Sequence, residues 1–318
     1  MEKRTLGKTD MHVGVMGFGS SQIGYEQTSQ ETVNHLLNLA LDHGLNAIDT
    51  AECYPNSEER IGQAVSGRRA EFYLFTKCGH SDEDKYHDWD PDWLELSVDR
   101  SLKRLGTDYI DVLQLHGCSE EILQRGEVIQ TLKKIQAAGK ARYLGYSGDG
   151  EQAKYAIKMQ CFDTLQVTVN IADQIALDEI IPLAQQQQLG VIVKRPLANA
   201  AWVNSGEHKK RYERQLAMWK RMGKTPESMV KPAKVTYEER LLKLGYSFQE
   251  DPLLTTELAL RFALSIPGVH TVMIGTTKPD RWRDNYALAS KGNLAEEQYK
   301  AIRERWKERM DKEWFAVP

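Results

Sequence analysis

Tyr73-Leu74-Phe75-Thr76-Lys77, an amphipathic segment from Asp90-Pro91 to Gly106, and Tyr109-Ile110-Asp111-Val112-Leu113-Gln114-Leu115-His116 follow one another in the chain. The two flanking runs are short and mostly apolar, which reads as buried strand. The segment between them opens with an N-cap aspartate followed by proline at the first helical position, and it stops at a glycine. That is the punctuation of a helix. Strand, helix, strand in this order is one βα unit and predicts parallel pairing.

The same rhythm extends both ways. A hairpin, Arg4 to Leu6 and His12 to Val15, precedes Val15 to Gly19 and Asn46 to Thr50. After His116 come Arg142 to Ser147, Thr164 to Asn170, Gly190 to Arg195 and Thr271 to Gly275. Helices are expected near Gln30 to His43, Glu58 to Val65, Glu127 to Ala138, Gln152 to Met159, Asp178 to Gln188, Thr255 to Leu264 and Pro279 to Ala289. Eight strands, each followed by a helix, predict an α/β fold of the closed (β/α)8 TIM-barrel kind in a single domain spanning residues 1–318. An open dinucleotide-binding sheet fits less well, because Gly17-Phe18-Gly19-Ser20-Ser21-Gln22 lacks the third glycine of its fingerprint. No Walker A loop is present. About residues 200–250 interrupt the rhythm between the seventh strand and seventh helix, and are expected to form a lid on the substrate face. A helical tail is expected at about 294–318.

Composition narrows the function. The 318 residues carry 42 Lys plus Arg against 45 Asp plus Glu, a net charge of −3. Without a basic patch or a run of like charges, nucleic acid and anionic membranes are not expected partners. No stretch has the length of a membrane span and the N-terminus lacks a signal-like apolar region, so the expected location is cytoplasmic. Cys53, Cys78, Cys118 and Cys161 are widely spaced, which gives neither a zinc motif nor a disulfide framework. No metal site is read, and the oligomeric state is not legible.

In such a barrel, reactive side chains sit at the C-terminal ends of strands. Asp49 closes Asn46-Ala47-Ile48-Asp49-Thr50, Tyr54 follows in the next loop, Lys77 closes its strand and His116 closes another. A tyrosine phenol ordinarily titrates near pH 10; a neighbouring ammonium lowers that value, and a carboxylate keeps a desolvated ammonium charged. His116 is placed to orient a carbonyl oxygen. Singly, each residue has an ordinary explanation as a turn, snorkelling or core residue. Together they make a proton donor suited to a carbonyl undergoing reduction.

This ordered set resembles the aldo-keto reductase superfamily. The similarity runs from the hairpin to about Leu288 and rests on Asp49-x4-Tyr54, Phe75-Thr76-Lys77 and Leu115-His116. The resemblance implies Tyr54 as general acid or base, Asp49 and Lys77 as its tuning pair, His116 as the orienting group, and a nicotinamide cofactor lying across the barrel mouth. It implies that Ser147 and Gln166 bind the nicotinamide amide. Gly19, Ser20, Arg195, Pro196 and Leu197 are further cofactor contacts. Gly275, Thr276, Thr277, Arg281 and Asn285 correspond to the adenosine and 2′-phosphate segment. Arg281 offers a phosphate a bidentate fork, which favours NADP(H) over NAD(H). The alternative is that Arg281 and Asn285 are merely exposed on the last barrel helix.

Two positions depart from the family pattern. Ser147 is followed by Gly148 where asparagine is usual, and Lys194 stands where many members stack an aromatic ring on the nicotinamide. Tyr25, Tyr86, Trp89 and Trp202 are expected at the mouth as substrate-pocket walls; Trp89 and Trp93 equally suit packing around a helix start. Cys53, Cys78 and Cys118 lie beside the four reactive positions, with small buried side chains as the preferred explanation. The basic run His208-Lys209-Lys210-Arg211, with Arg214 and Lys220, reads as a solvated face. The expected activity is reduction of an aldehyde or ketone, with a small carbonyl or alcohol as partner. An NADPH-binding regulatory or redox-sensing subunit with little turnover remains the alternative, because the superfamily also includes such potassium-channel subunits.

Overall fold

The computed structural model describes residues 1–24, 28–83, 85–203, 213, 235–311 and 314. An antiparallel hairpin, β1 (Lys3–Thr5) and β2 (His12–Gly14), precedes eight strands: β3 (Met16–Gly19), β4 (Ala47–Asp49), β5 (Tyr73–Cys78), β6 (Ile110–His116), β7 (Ala141–Ser147), β8 (Thr164–Thr168), β9 (Gly190–Lys194) and β10 (Val269–Ile274). These eight pair in parallel, and β10 closes against β3 to complete the barrel. The fold is the expected (β/α)8 TIM barrel with an N-terminal hairpin.

Because strand side chains alternate between faces, every second residue points into the barrel. The lower interior is apolar: Ala47, Phe75, Val112, Ile192 and Met273 pack with Leu6, Met11 and Val13 of the hairpin segment. The hairpin therefore plugs the N-terminal end of the barrel. One step further along the same strands stand Asp49, Lys77, Gln114, Gln166 and Lys194, so polarity rises towards the C-terminal mouth. Gly145 is required by this layer, since a Cβ there would come within 2.4 Å of Thr164 Oγ1 and 2.8 Å of Gln114 Cγ.

The surrounding helices are α1 (Gln30–Asp42), α2 (Ser57–Val65), α3 (Pro91–Leu105), α4 (Glu120–Arg125), α5 (Glu127–Ala137), α6 (Gly150–Lys158), α7 (Ile180–Gln186), α8 (Tyr237–Leu244), α9 (Pro252–Leu264), α10 (Pro279–Ala289) and α11 (Glu296–Arg309). The cap read at Asp90 is present: its carboxylate accepts from Asp92 N at 2.9 Å, and Gly106 ends α3 with φ +64°. Helix α9 starts earlier than expected because Asp251-Pro252 repeats that signature, Asp251 accepting from Leu253 N and Leu254 N. Helix α4 was not expected. It is six residues long, with Ser119 capping its start and Gly126 its end.

The insertion's described C-terminal part contains α8, held by a capping box between Thr236 and Glu239. Arg240 of this helix is fully buried, bonds Asp173 at 3.1 Å, and lies 5.2 Å from the Trp314 ring. The rest of the expected lid, including the basic run at 208–220, falls mainly outside the described residues. Among the described residues no helix is long and apolar enough to cross a membrane.

Candidate active site

The four strand-end residues converge at the mouth. Lys77, 2% exposed, extends from β5 and donates to Asp49 Oδ2 and to the Thr50 carbonyl, both at 2.7 Å. Asp49 also accepts from Gln114 Nε2 at 3.1 Å. The ammonium and carboxylate are thus taken out of water together, with their remaining hydrogen-bonding capacity partly met. Lys77 Nζ is 5.5 Å from the Tyr54 ring centre. Tyr54 meets His116 edge-on, with ring centres 5.8 Å apart.

His116 is held well below the ordinary histidine range. Burial is the main cause, and the positive groups His80, Lys77, Lys194 and Arg195 push the same way. It is therefore a neutral imidazole near pH 7, a donor of one ring N–H and an acceptor at the other nitrogen. Its Nδ1 lies 3.4 Å from Cys53 Sγ. Cys78 and Cys118 are core residues instead; burial pushes the Cys118 thiol up to about 12.

A row of rings leads outward. His116 faces His80 at 5.4 Å, and His80 faces Trp89 at 5.3 Å. Trp89 thus joins the wall next to the reactive residues. Tyr86 packs on Trp93 at 5.5 Å, and Trp202 donates from Nε1 to Thr256 Oγ1 of α9 at 3.4 Å. Tyr25 lies outside the described residues. The sequence reading missed His80, although the run Lys77-Cys78-Gly79-His80 placed an imidazole three residues beyond a strand-end lysine.

The opposite side of the mouth carries polar groups with unused capacity. Ser147 Oγ donates to Gln166 Oε1 at 3.1 Å, while Gln166 Nε2, buried, has no hydrogen-bond partner among the described residues. Asn285 is 2% exposed, so it is not a surface residue, and its Oδ1 is likewise unpartnered among the described residues. Buried polar atoms left without partners are costly in a finished structure and mark where a ligand would bond. Arg281, one turn earlier on α10, is exposed, and Thr277 is half-buried. Thr276 Oγ1 accepts from Lys278 N at 3.0 Å at the start of α10. Gly19 and Gly275 pass so close that a Cβ on Gly275 would sit 2.7 Å from the Gly19 carbonyl oxygen. The Ser20 hydroxyl is spent internally, donating to the Asp49 carbonyl and accepting from Ser57. Arg195 has φ +57° and its carbonyl accepts from Asn170; Pro196 is buried beside it and Leu197 half-buried.

Both departures have local causes. A Cβ at Gly148 would come within 2.6 Å of the Tyr146 ring, whose hydroxyl donates to the Cys118 carbonyl at 2.6 Å. Lys194 bonds Asp149 Oδ2 at 3.0 Å, and Asp149 also accepts from Thr168 N at 2.7 Å. Burial opposes the Asp149 charge, yet Lys194, the Thr168 N–H and Arg195 outweigh it and hold the carboxyl below its usual range. Lys194 is lowered by burial despite Asp149. The pair ties the loop after β7 to the end of β9, across β8.

Comparison with known proteins agrees with this geometry. The aldo/keto reductase family pattern matches residues 11–307. An uncharacterized oxidoreductase of Bacillus subtilis, YqkF, is 29% identical over 97% of this chain and 97% of its own length. The NADH-specific methylglyoxal reductase of Escherichia coli is 27% identical, covering 90% of this chain and 93% of that protein. The holo form of aldo-keto reductase AKR11C1 from Bacillus halodurans superposes with a TM-score of 0.78 at 28% identity, covering 96% of each chain. With most of its length matched by the family pattern and its barrel shared with a solved member, this chain belongs to the aldo/keto reductase family of oxidoreductases.

Proposed function

We propose that this chain is a single-domain, cytoplasmic NADPH-dependent reductase of small aldehydes or ketones. The observation that carries the reading is the buried Lys77–Asp49 pair beside the Tyr54 ring, with neutral His116 edge-on to the same ring. A substrate carbonyl bound between Tyr54 and His116 accepts the His116 N–H and is thereby oriented. The Tyr54 phenol then gives its proton to the carbonyl oxygen as negative charge develops there. Lys77 stabilises the phenolate left behind, and Asp49, steadied by Gln114, keeps Lys77 charged. In the reverse direction the phenolate takes the alcohol proton.

When bound, a reduced nicotinamide cofactor supplies the hydride. The residues present fit such a group. The unpartnered Gln166 Nε2 is a donor for the nicotinamide carbonyl beside Ser147, and Asn285 Oδ1 is an acceptor for the adenine amino group. Gly19, Gly275, Thr276 and Thr277, together with Arg195, Pro196 and Leu197, would hold the phosphates of such a cofactor. Arg281 is exposed at the start of α10, where its guanidinium would suit a 2′-phosphate, and it supports NADP(H) over NAD(H). A relative named for NADH specificity makes this preference worth measuring directly.

The test is NADPH consumption by purified protein with a panel of small aldehydes and ketones. Carbonyl-dependent consumption is expected. Tight NADPH binding with no consumption by any carbonyl would overturn the reductase reading in favour of a cofactor-binding subunit.

A further inference from the structure

His80 is fixed more firmly than packing requires. Its Nδ1 lies 2.9 Å from Asp88 Oδ2, and the other Asp88 oxygen accepts from Ser81 N at 2.8 Å. Its backbone carbonyl accepts from Trp93 Nε1 at 2.9 Å. The Trp89 ring backs it at 5.3 Å, and Trp89 reaches that position with φ +70°, its N–H donating to the Gly79 carbonyl at 2.8 Å. A left-handed backbone at tryptophan is strained by about 1–3 kcal/mol and persists where the surroundings over-determine it, often at ligand sites. The Trp89 ring also occupies the space a Cβ on Gly79 would need, approaching within 2.0 Å of it.

These contacts fix which ring nitrogen faces Asp88. A carboxylate only accepts, so Nδ1 carries the proton given to Asp88, and Nε2 is left for another partner. Among the described residues Nε2 has no hydrogen-bond partner, although the ring touches His116, which faces the reacting carbonyl.

We propose that His80, aligned by Asp88, is a specificity-determining residue whose Nε2 hydrogen-bonds a hydroxyl on the carbon next to the substrate carbonyl. The inference rests on the reductase reading and narrows its substrate class to α-hydroxy aldehydes and ketones. The carbonyl oxygen bonds Tyr54 and His116; the neighbouring hydroxyl reaches the next ring in the row. Packing alone would be served equally by phenylalanine, so the ring's second nitrogen is the feature to test.

The experiment compares glycolaldehyde with acetaldehyde, which differ by that hydroxyl, in wild type, His80→Phe and Asp88→Asn. For His80→Phe, kcat/KM for glycolaldehyde relative to acetaldehyde should fall about tenfold, as expected for one lost hydrogen bond, with the change lying in KM. Asp88→Asn should shift the same ratio in the same direction by less. Acetaldehyde turnover by each variant reports that the barrel and its chemistry are intact. An unchanged glycolaldehyde-to-acetaldehyde ratio, or equal losses on both substrates, would overturn the inference and leave the reductase reading standing. If wild type bound NADPH but reduced neither aldehyde, the inference would fall, and the reductase reading would fall with it only if the whole carbonyl panel were inert.

Discussion

Replacing Lys77 by methionine separates the electrostatic role of the buried pair from its structural one. Lys77 Nζ is 5.5 Å from the Tyr54 ring centre. At an effective dielectric constant of about 20, a unit charge that far from the ring stabilises a phenolate by about 3 kcal/mol. Alcohol oxidation requires the phenolate, so its rate should rise with pH along a limb set by Tyr54. In Lys77→Met that limb should move to higher pH, and turnover near pH 7 should fall about 100-fold. The single substitution also leaves the Asp49 carboxylate buried without its cation, which costs about 3–5 kcal/mol of stability. Lys77→Met with Asp49→Asn removes both charges and should recover most of that stability without recovering activity. Oxidation profiles and thermal unfolding of wild type, single and double variants make the comparison. A limb that stays in place, or a double variant that regains both stability and turnover, would refute the electrostatic argument.

Other expectations follow from the same geometry. Arg281→Ala should weaken NADPH binding about tenfold or more while NADH binding hardly changes, measured by fluorescence titration; parallel losses would remove Arg281 from the 2′-phosphate site. Gln166→Leu strands the buried Ser147 hydroxyl, which should cost about 1–3 kcal/mol of stability, and should weaken binding of either cofactor by about 1–2 kcal/mol, read from the same titration. His116 resists protonation in the fold. Below the ordinary histidine value of 6.5 the unfolded chain takes up a proton that the folded chain refuses. The contribution of His116 to stability is therefore full above that value and lost below it. The stability of wild type relative to His116→Gln should fall from about pH 7 to about pH 5.5, by up to about 1.4 kcal/mol per pH unit, in urea titrations. A constant difference would mean that His116 protonates normally. Gly148→Asn should destabilise by about 1–3 kcal/mol through its contact with Tyr146, with a lowered Tm as the readout.

The barrel was legible because its signals are local. Strand-length apolar runs, helical stripes, Asp90-Pro91 and Gly106 each announce their own structure, and the strand ends then name Asp49, Lys77 and His116 by position. The boundaries that differed involved signals of the same kind that carried less weight amid a long insertion, such as Asp251-Pro252 ahead of α9. What the sequence did not reveal depends on contacts between distant segments. Asp149 and Lys194 meet only because β8 sets the ends of β7 and β9 one strand apart. Gly148 has its reason in the Tyr146 ring, which the chain places beside it only after folding. His80 acquires its role from Asp88 and Trp89, further along its own loop, and from His116 at the end of the next strand. The burial of Asn285 on α10 likewise follows from how that helix docks, which its polar identity conceals.

The central claim is that Tyr54 delivers the proton. Turnover of a carbonyl by Tyr54→Phe at saturating NADPH, with cofactor affinity measured on the same preparation, tests it most directly. The account predicts a loss of about 10²–10⁴-fold in kcat with NADPH affinity nearly unchanged. Turnover equal to wild type would contradict it.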